Sequence, residues 1–234
     1  PGALEDALIS HPETTVAIPV HYAGLPCDMD RIAEIAQKHG VFIIEDAAHA
    51  LGGSYPDGSK IGCCRHSLMT IFSFHPVKAI ATGEGGMVTT NDERVYGELL
   101  RLRSHGINKG DDPFLISEAA TSNDLTNPWY YEMQELGFHY RITDIQCALG
   151  LSQLKKLDTF ITRRSMLASR YDAAFSRSQV ITPAQTSGRQ YSGHHLYPVR
   201  IDFKSAGVTR AELMGKLRQR EIITQVHYIP VPAH

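Results

Sequence analysis

The sequence predicts an α/β protein built on a largely parallel sheet, and three observations carry that expectation. Short, continuous apolar runs such as Val41–Glu45 (VFIIE) have the character of strands covered on both faces. These runs alternate with segments whose apolar residues recur at helical spacing. The helical segments are bounded by capping residues, so the alternation reads as successive strand and helix units.

Taken in order, Thr15–Val20 (TVAIPV) reads as a strand. Asp28 caps a helix over Met29–His39, with apolar Ile32, Ala33, Ile35 and Ala36 on one face, and Gly40 stops it. Val41–Glu45 follows as a buried strand, then Met69–Phe74 and Gly86–Thr90 as two more. Asn91 and Asp92 can cap a helix that runs to about His105. Residues 106–135 hold clusters of Gly, Asp, Pro, Asn and Ser and read as one long loop, which is uncommon without a functional reason. A long helical pattern runs from Thr143 through Leu157, and a second spans about Phe160–Phe175. Beyond Ser176 the texture changes: Leu196–Phe203 alternates as a half-buried strand, Thr209 caps a helix ending near Arg220, and Ile222–Ile229 reads as a final strand. The expected division is therefore 1–141 as part of a larger domain, 142–175 as connecting helices and 176–234 as part of a smaller α/β domain.

Composition narrows the function classes. The 234 residues are 42% hydrophobic and 21% charged, with a net charge of −2, which is ordinary for a globular chain. No Lys/Arg run marks a nucleic-acid partner, and no apolar stretch is long enough to span a bilayer. The cysteines, Cys27, Cys63, Cys64 and Cys147, form no CxxC pair, so free thiols in a reducing cytoplasm are expected. Twelve histidines invite a metal reading, but no HExxH occurs and the adjacent His194 and His195 would point apart on a strand. Ser73 lacks a GxSxG elbow, and Glu84-Gly85-Gly86 is followed by no GK[ST].

Two segments carry candidate chemistry. Glu45-Asp46-Ala47-Ala48-His49 follows a buried strand directly, which puts Asp46 at a carboxyl edge where open α/β sheets bind ligands. A carboxylate there can keep a pyridine nitrogen protonated, and an Asp there can equally be a plain helix cap. His49 can face a ligand ring or be a packed histidine. Ser73-Phe74-His75-Pro76-Val77-Lys78 then leads into Thr82-Gly83-Glu84-Gly85-Gly86. Ser73 ends a strand, within reach of a phosphate at the sheet edge. Pro76 fixes a loop, so Lys78 sits on a turn beside the strand end, where its amine can form a Schiff base and, once released, carry protons. The glycines permit close backbone approach to a ligand. A surface lysine before an ordinary hairpin is the plainer alternative. Trp129, Tyr130 and Tyr131 can shape a sugar pocket or simply pack.

EDAAHALG together with SFHPVKAIATGEGG resembles the DegT/DnrJ/EryC1/StrS sugar aminotransferases, which act on nucleotide-linked keto-sugars. The resemblance continues through IPVHYAGLPCDMDRI, SHGI, WYYEMQELGFHYRITDIQCALGLSQLKKL, HHLYPVRI and TQVHYIPV, and so covers nearly the whole chain. It implies a fold-type-I pyridoxal phosphate (PLP) transferase with a mixed, mostly parallel sheet in the large domain. FHPVK, PWYYEMQELG and TDIQCALGLSQL look most like the branch that installs the 4-amino group of pseudaminic acid precursors. That implies UDP-4-amino-4,6-dideoxy-N-acetyl-β-L-altrosamine transaminase activity, with glutamate as donor; the alternatives are another nucleotide-sugar aminotransferase of the family, or a cofactor-binding but inactive or regulatory relative or fragment. A related branch that dehydrates sugars has His in place of the lysine, and Lys78 speaks against it here.

The resemblance also implies roles. Lys78 would hold the cofactor covalently, Asp46 would pair with its ring nitrogen, Ser73 would hold its phosphate, and His49 would lie at its ring or phenolic oxygen. Gln225, His227 and Tyr228 would contact substrate. A homodimer with shared active sites is implied, in which the GFHYR segment reaches the neighbour's cofactor phosphate. Relatives usually carry Asn where this chain has His139, and a neutral imidazole can still donate one hydrogen bond there. Relatives also begin well upstream, with a Gly-Thr-Ala-type turn, and continue beyond HYIPV, so the chain is expected to be truncated at both ends.

Overall fold

The computed structural model describes residues 1–110, 112–184 and 187–229. Its elements in chain order are α1 (Gly2–Ser10), β1 (Val16–Ala17), α2 (Met29–His39), β2 (Phe42–Asp46), β3 (Met69–Ser73), β4 (Gly86–Thr89), α3 (Glu93–Leu102), β5 (Ile107–Asn108), α4 (Ser117–Ala120), β6 (Thr121–Ser122), β7 (Leu125–Thr126), β8 (Glu132–Met133), α5 (Asp144–Leu154), α6 (Leu157–Phe175), β9 (Ile181–Pro183), β10 (Val199–Ile201) and α7 (Arg210–Arg218).

The main sheet has the order β1-β2-β3-β4. β1 and β3 run parallel to β2, while β4 returns antiparallel to β3, which makes the sheet mixed and mostly parallel. Both parallel connections pass through other structure, as parallel pairing requires. α2 is the clearer of the two in sequence and structure. Asp28 accepts from the Arg31 N–H at 3.3 Å, and Gly40 ends the helix in the left-handed region at φ 67°. Its apolar face (Met29, Ile32, Ile35, Ala36) packs with Leu8 of α1 and with Ala17, Ile43 and Phe72 of the sheet to form the core.

β2 differs from the expectation of a strand buried on both faces. Phe42 is 58% exposed while Ile43 is 5%, and Ile71 and Val88 on the same outer face are each 39% exposed. Burial alternates because the core packs against one side only. β1 is shorter than Thr15–Val20: Pro19 has no N–H to give a ladder, and Val20 makes only an isolated bridge to Asp46.

The 106–135 stretch is not a structureless loop. β5 pairs with β8, β6 pairs with β7, and α4 makes a single turn between them. Side chains tie this stretch down. Buried Glu132 accepts from the Leu115 N–H at 2.5 Å, the Tyr130 hydroxyl at 2.9 Å and the Gln134 amide at 2.8 Å. Asn108 receives the Gly110 N–H at 2.9 Å and donates to the Asp112 carbonyl at 2.7 Å.

The chain divides into two compact units. The first comprises Pro1–Met166 and Gly188–Leu196; the second comprises the described residues of Leu167–Ser187 and Tyr197–His234. The expected boundaries at 141 and 175 differ from this. α6 is one unbroken helix that carries the boundary in its interior, and residues 188–196 belong with the first unit through backbone bonds such as Gly193 N–H to Gly24 O at 2.9 Å. In the second unit β9 and β10 pair antiparallel, and Tyr197 donates to Asp172 at 2.7 Å. Residues 222–229, expected as a final strand, are irregular. Apolar alternation gives a strand only where an edge takes its backbone hydrogen bonds, and the described sheet of this unit has two strands.

Candidate active site

Asp46 and Ser73 are the last residues of adjacent parallel strands. Asp46 pairs with Ile71, so Ser73 lies two residues further along on the same face. Strand spacing and rise put their Cα atoms roughly 8 Å apart. That face is the more open side of the sheet, and both residues are half-buried. Asp46 accepts from the Ala48 N–H at 3.0 Å, which turns the chain away from the strand end. Its own backbone is held on both sides, by the Asp46 N–H to Pro19 O and the His21 N–H to Asp46 O, each at 3.0 Å.

His49 follows in that turn and is 8% exposed. Its Nδ1 accepts from the Ala23 N–H at 3.3 Å, which leaves the Nε2 position to carry the proton in the neutral ring. The ring lies 4.4 Å from that of His195, tilted by 36°. His195 is presented by a chain segment whose carbonyls, at His194 and His195, both accept from Arg164 at 3.2 and 3.1 Å.

Lys78 belongs to a connection folded tightly back on the sheet. Ser73 Oγ accepts from the His75 N–H at 3.4 Å, and the Lys78 N–H donates to His75 O at 2.9 Å, closing a turn around Pro76. Phe74 N–H to Gly85 O and Thr82 N–H to Phe74 O then pin the connection as β4 begins. The side chain of Lys78 is half-buried and within electrostatic reach of Asp46. Burial pulls its ammonium below the usual lysine range, and the Asp46 carboxylate opposes that shift. The glycines here serve the protein's own packing more than a ligand: a Cβ at Gly86 would stand 2.8 Å from Phe72 O, and one at Gly85 would stand 2.4 Å from Thr82 Oγ1.

The remaining expected residues lie elsewhere. His139 is exposed, on a segment that pairs antiparallel with residues 102–105. Its ring meets His105 edge-on at 5.5 Å. Gln225, His227 and Tyr228 belong to the second unit. The structure therefore brings Asp46, His49, Ser73 and Lys78 to one sheet edge, and leaves His139 on another part of the first unit.

Sequence reasoning missed the network behind Asp46. Glu45, 1% exposed, accepts from His21 Nε2 at 2.8 Å, Ser67 Oγ at 2.5 Å, Thr70 Oγ1 at 3.1 Å and the Tyr55 hydroxyl. Burial alone would raise its carboxyl, but the bonds from His21, Ser67 and Tyr55 hold it below the usual carboxylate range. The signal was present as a charged residue ending an apolar strand, because a buried charge must find partners.

A half-buried lysine beside a strand-end carboxylate and a strand-end hydroxyl, on a mixed and mostly parallel sheet, fits the fold-type-I architecture of PLP-dependent transferases. The comparisons with known proteins agree. The chain belongs to the DegT/DnrJ/EryC1/StrS aminotransferase family, whose description matches residues 3–234. It is 42% identical to the spore coat polysaccharide biosynthesis protein SpsC of Bacillus subtilis, over 100% of this chain and 57% of that protein. It is 36% identical to the UDP-4-amino-4,6-dideoxy-N-acetyl-beta-L-altrosamine transaminase of Campylobacter jejuni, over 97% of this chain and 55% of that one. Among solved structures it resembles Helicobacter pylori PseC, an aminotransferase of pseudoaminic acid biosynthesis, with TM-score 0.82 and 32% identity over 97% of this chain and 56% of that one. It also resembles the sugar aminotransferase Spr1654 of Streptococcus pneumoniae in its PLP form, with TM-score 0.79 and 30% identity over 99% of this chain and 58% of that one. The chain thus spans a little over half the length of these relatives.

Proposed function

We propose that this chain carries the PLP-binding lysine of an enzyme that transfers an amino group to C4 of a UDP-linked 4-keto-6-deoxy-N-acetyl-hexosamine, with L-glutamate as donor. The observation that supports this best is the convergence of Asp46, Ser73 and Lys78 at the ends of two adjacent parallel strands. These residues fit the cofactor. The carboxylate and the hydroxyl share one face at a spacing that suits a small ring bearing a phosphate arm, and the amine beside them is biased toward its neutral, nucleophilic form. When bound, PLP supplies an electron sink for the substrate carbon.

The chain's own residues would do the rest. Asp46 keeps a positive charge on the ring nitrogen, and Ser73 donates to the phosphate. His49 is assigned to the ring or its phenolic oxygen on the family resemblance alone. Lys78 would hold the cofactor and, with its amine free, would carry a proton between the cofactor carbon and the sugar carbon. Gln225, His227 and Tyr228 are assigned to the sugar on the family resemblance alone, as are the homodimer with shared active sites and the role of His139 at the neighbouring phosphate.

Borohydride reduction of the cofactor-loaded protein, followed by peptide mass analysis, tests the central assignment. The adduct is expected on Lys78 and absent in Lys78→Ala; an adduct persisting on another lysine removes the assignment. A second reading concerns only the sugar. The higher identity to a spore coat polysaccharide protein than to the altrosamine transaminase favours a different nucleotide sugar within the same reaction class. Product analysis with the candidate 4-keto-sugar separates the two.

A further inference from the structure

We infer that Glu45 and His21 form a positioning pair for Asp46, setting both its place and the negative potential at the cofactor ring. This inference rests on the reading of Asp46 as the partner of the ring nitrogen. Neighbouring strand residues point to opposite faces, so Glu45 enters the core where Asp46 faces the open side. His21, which is fully buried, grips this strand end at two points. Its ring donates to Glu45 at 2.8 Å, and its backbone N–H donates to Asp46 O at 3.0 Å.

The protonation pattern follows from geometry. The Cys27 N–H donates to His21 Nδ1 at 3.0 Å, so that nitrogen bears no proton and the ring is neutral. The remaining donors to Glu45 are the hydroxyls of Tyr55, Ser67 and Thr70. Glu45 therefore holds a full negative charge that four neutral donors stabilise but do not cancel. The other titratable groups around it are the Cys27 thiol, pushed up to about 11 by burial and by Glu45, and, beyond Tyr55, His66, Cys63 and Cys64. The thiols supply no positive charge, and His66 is paired with the Asp30 carboxylate at 3.2 Å. A buried carboxylate one residue from Asp46 strengthens the hold of this strand end on any cation brought against it, the ring nitrogen included. It also fixes the backbone from which Asp46 projects.

The test measures PLP affinity by absorbance titration from about pH 5 to pH 9, in wild type, Glu45→Gln and Tyr55→Phe, with the thermal unfolding midpoint of each. A unit charge acting across roughly 10 Å at an effective dielectric constant of about 20 corresponds to about a tenfold change in affinity. Glu45→Gln is expected to weaken PLP about tenfold at all pH values. Tyr55→Phe keeps the charge but removes a donor, so burial raises the Glu45 carboxyl. Its affinity is expected to match wild type at high pH and to fall toward that of Glu45→Gln at a higher pH than the wild-type affinity does. A merely structural role would lower the unfolding midpoints and shift both affinities by factors independent of pH. Wild-type affinity in Glu45→Gln, or a pH-independent ratio in Tyr55→Phe, overturns the inference. If Glu45→Gln does not fold, the Tyr55→Phe profile decides alone. Absence of PLP binding by wild type would instead overturn the cofactor reading, and this inference with it.

Discussion

Replacing His21 with Ala removes a fully buried partner of Glu45, and its cost can be worked out from the contacts. The bond from His21 Nε2 to the carboxylate, 2.8 Å long, is to a charged acceptor and contributes about 1.5–3 kcal/mol. The Cys27 N–H loses its acceptor at 3.0 Å, and an unsatisfied donor in a buried setting costs about 1–3 kcal/mol. The two losses come to about 2.5–6 kcal/mol before any cavity contribution, among the largest effects of single substitutions. At about 2–4 °C per kcal/mol for a chain of this size, the midpoint followed by far-UV circular dichroism should drop by roughly 5–24 °C. The sign of the pH dependence follows as well. In wild type the Glu45 value is depressed, so its contribution is fully present above the ordinary carboxylate value and is lost as pH falls through the lower folded value. In His21→Ala burial has one opponent fewer, and Glu45 takes up a proton at higher pH. The stability gap between the two proteins should therefore narrow on acidification, beginning where Glu45 of the variant takes up its proton. A gap below about 1 kcal/mol at pH 7 refutes the account of Glu45 as a buried anion held by His21.

Other expectations are simpler. Thr143→Ala breaks a reciprocal capping box with Gln146 and should cost about 1 kcal/mol, read by urea unfolding. Gly106→Ala would set a Cβ 1.8 Å from Glu135 O at φ 68°, whereas Gly40→Ala, at φ 67°, meets open space. Both should lose stability, Gly40→Ala by about 1 kcal/mol for the strained φ and Gly106→Ala by clearly more, with equal losses contradicting the packing argument. Glu132→Ala removes the acceptor shared by Leu115, Tyr130 and Gln134 and should speed proteolytic cutting within residues 106–135, leaving cutting elsewhere unchanged.

What could be read from the chain depended on how local the determining interactions are. α2 was legible because its boundaries are set by residues next to it: Asp28 caps the first turn, and Gly40 supplies the left-handed exit. The strands were legible as runs but not in length. A ladder needs a partner for each N–H, and Pro19 removes one from the stretch expected as β1. The 106–135 region gave no periodic signal, since its order comes from Glu132 and Asn108 reaching across the chain to backbone groups. His139 is a similar case. Its position depends on pairing with residues 102–105, which no spacing in GFHYR encodes.

The candidate site was legible to the extent that a strand end is a place as well as a pattern. Asp46 and Ser73 each close an apolar run, and pairing of β2 with β3 turns two separate sequence positions into neighbours on one face. The sequence could not show that the two residues at the end of β2 have opposite fates. Glu45 and Asp46 both carry carboxylates and are neighbours along the chain. The pleat sends one into the core and the other to the open face. Asp46 is left with a single backbone donor, the Ala48 N–H, among the hydrogen bonds described for its side chain, and so keeps acceptor capacity for a cation. Glu45 is surrounded by four donors and has no such capacity left. The same alternation that makes β2 a strand thus separates the carboxylate able to meet a ligand from the one that holds it in place.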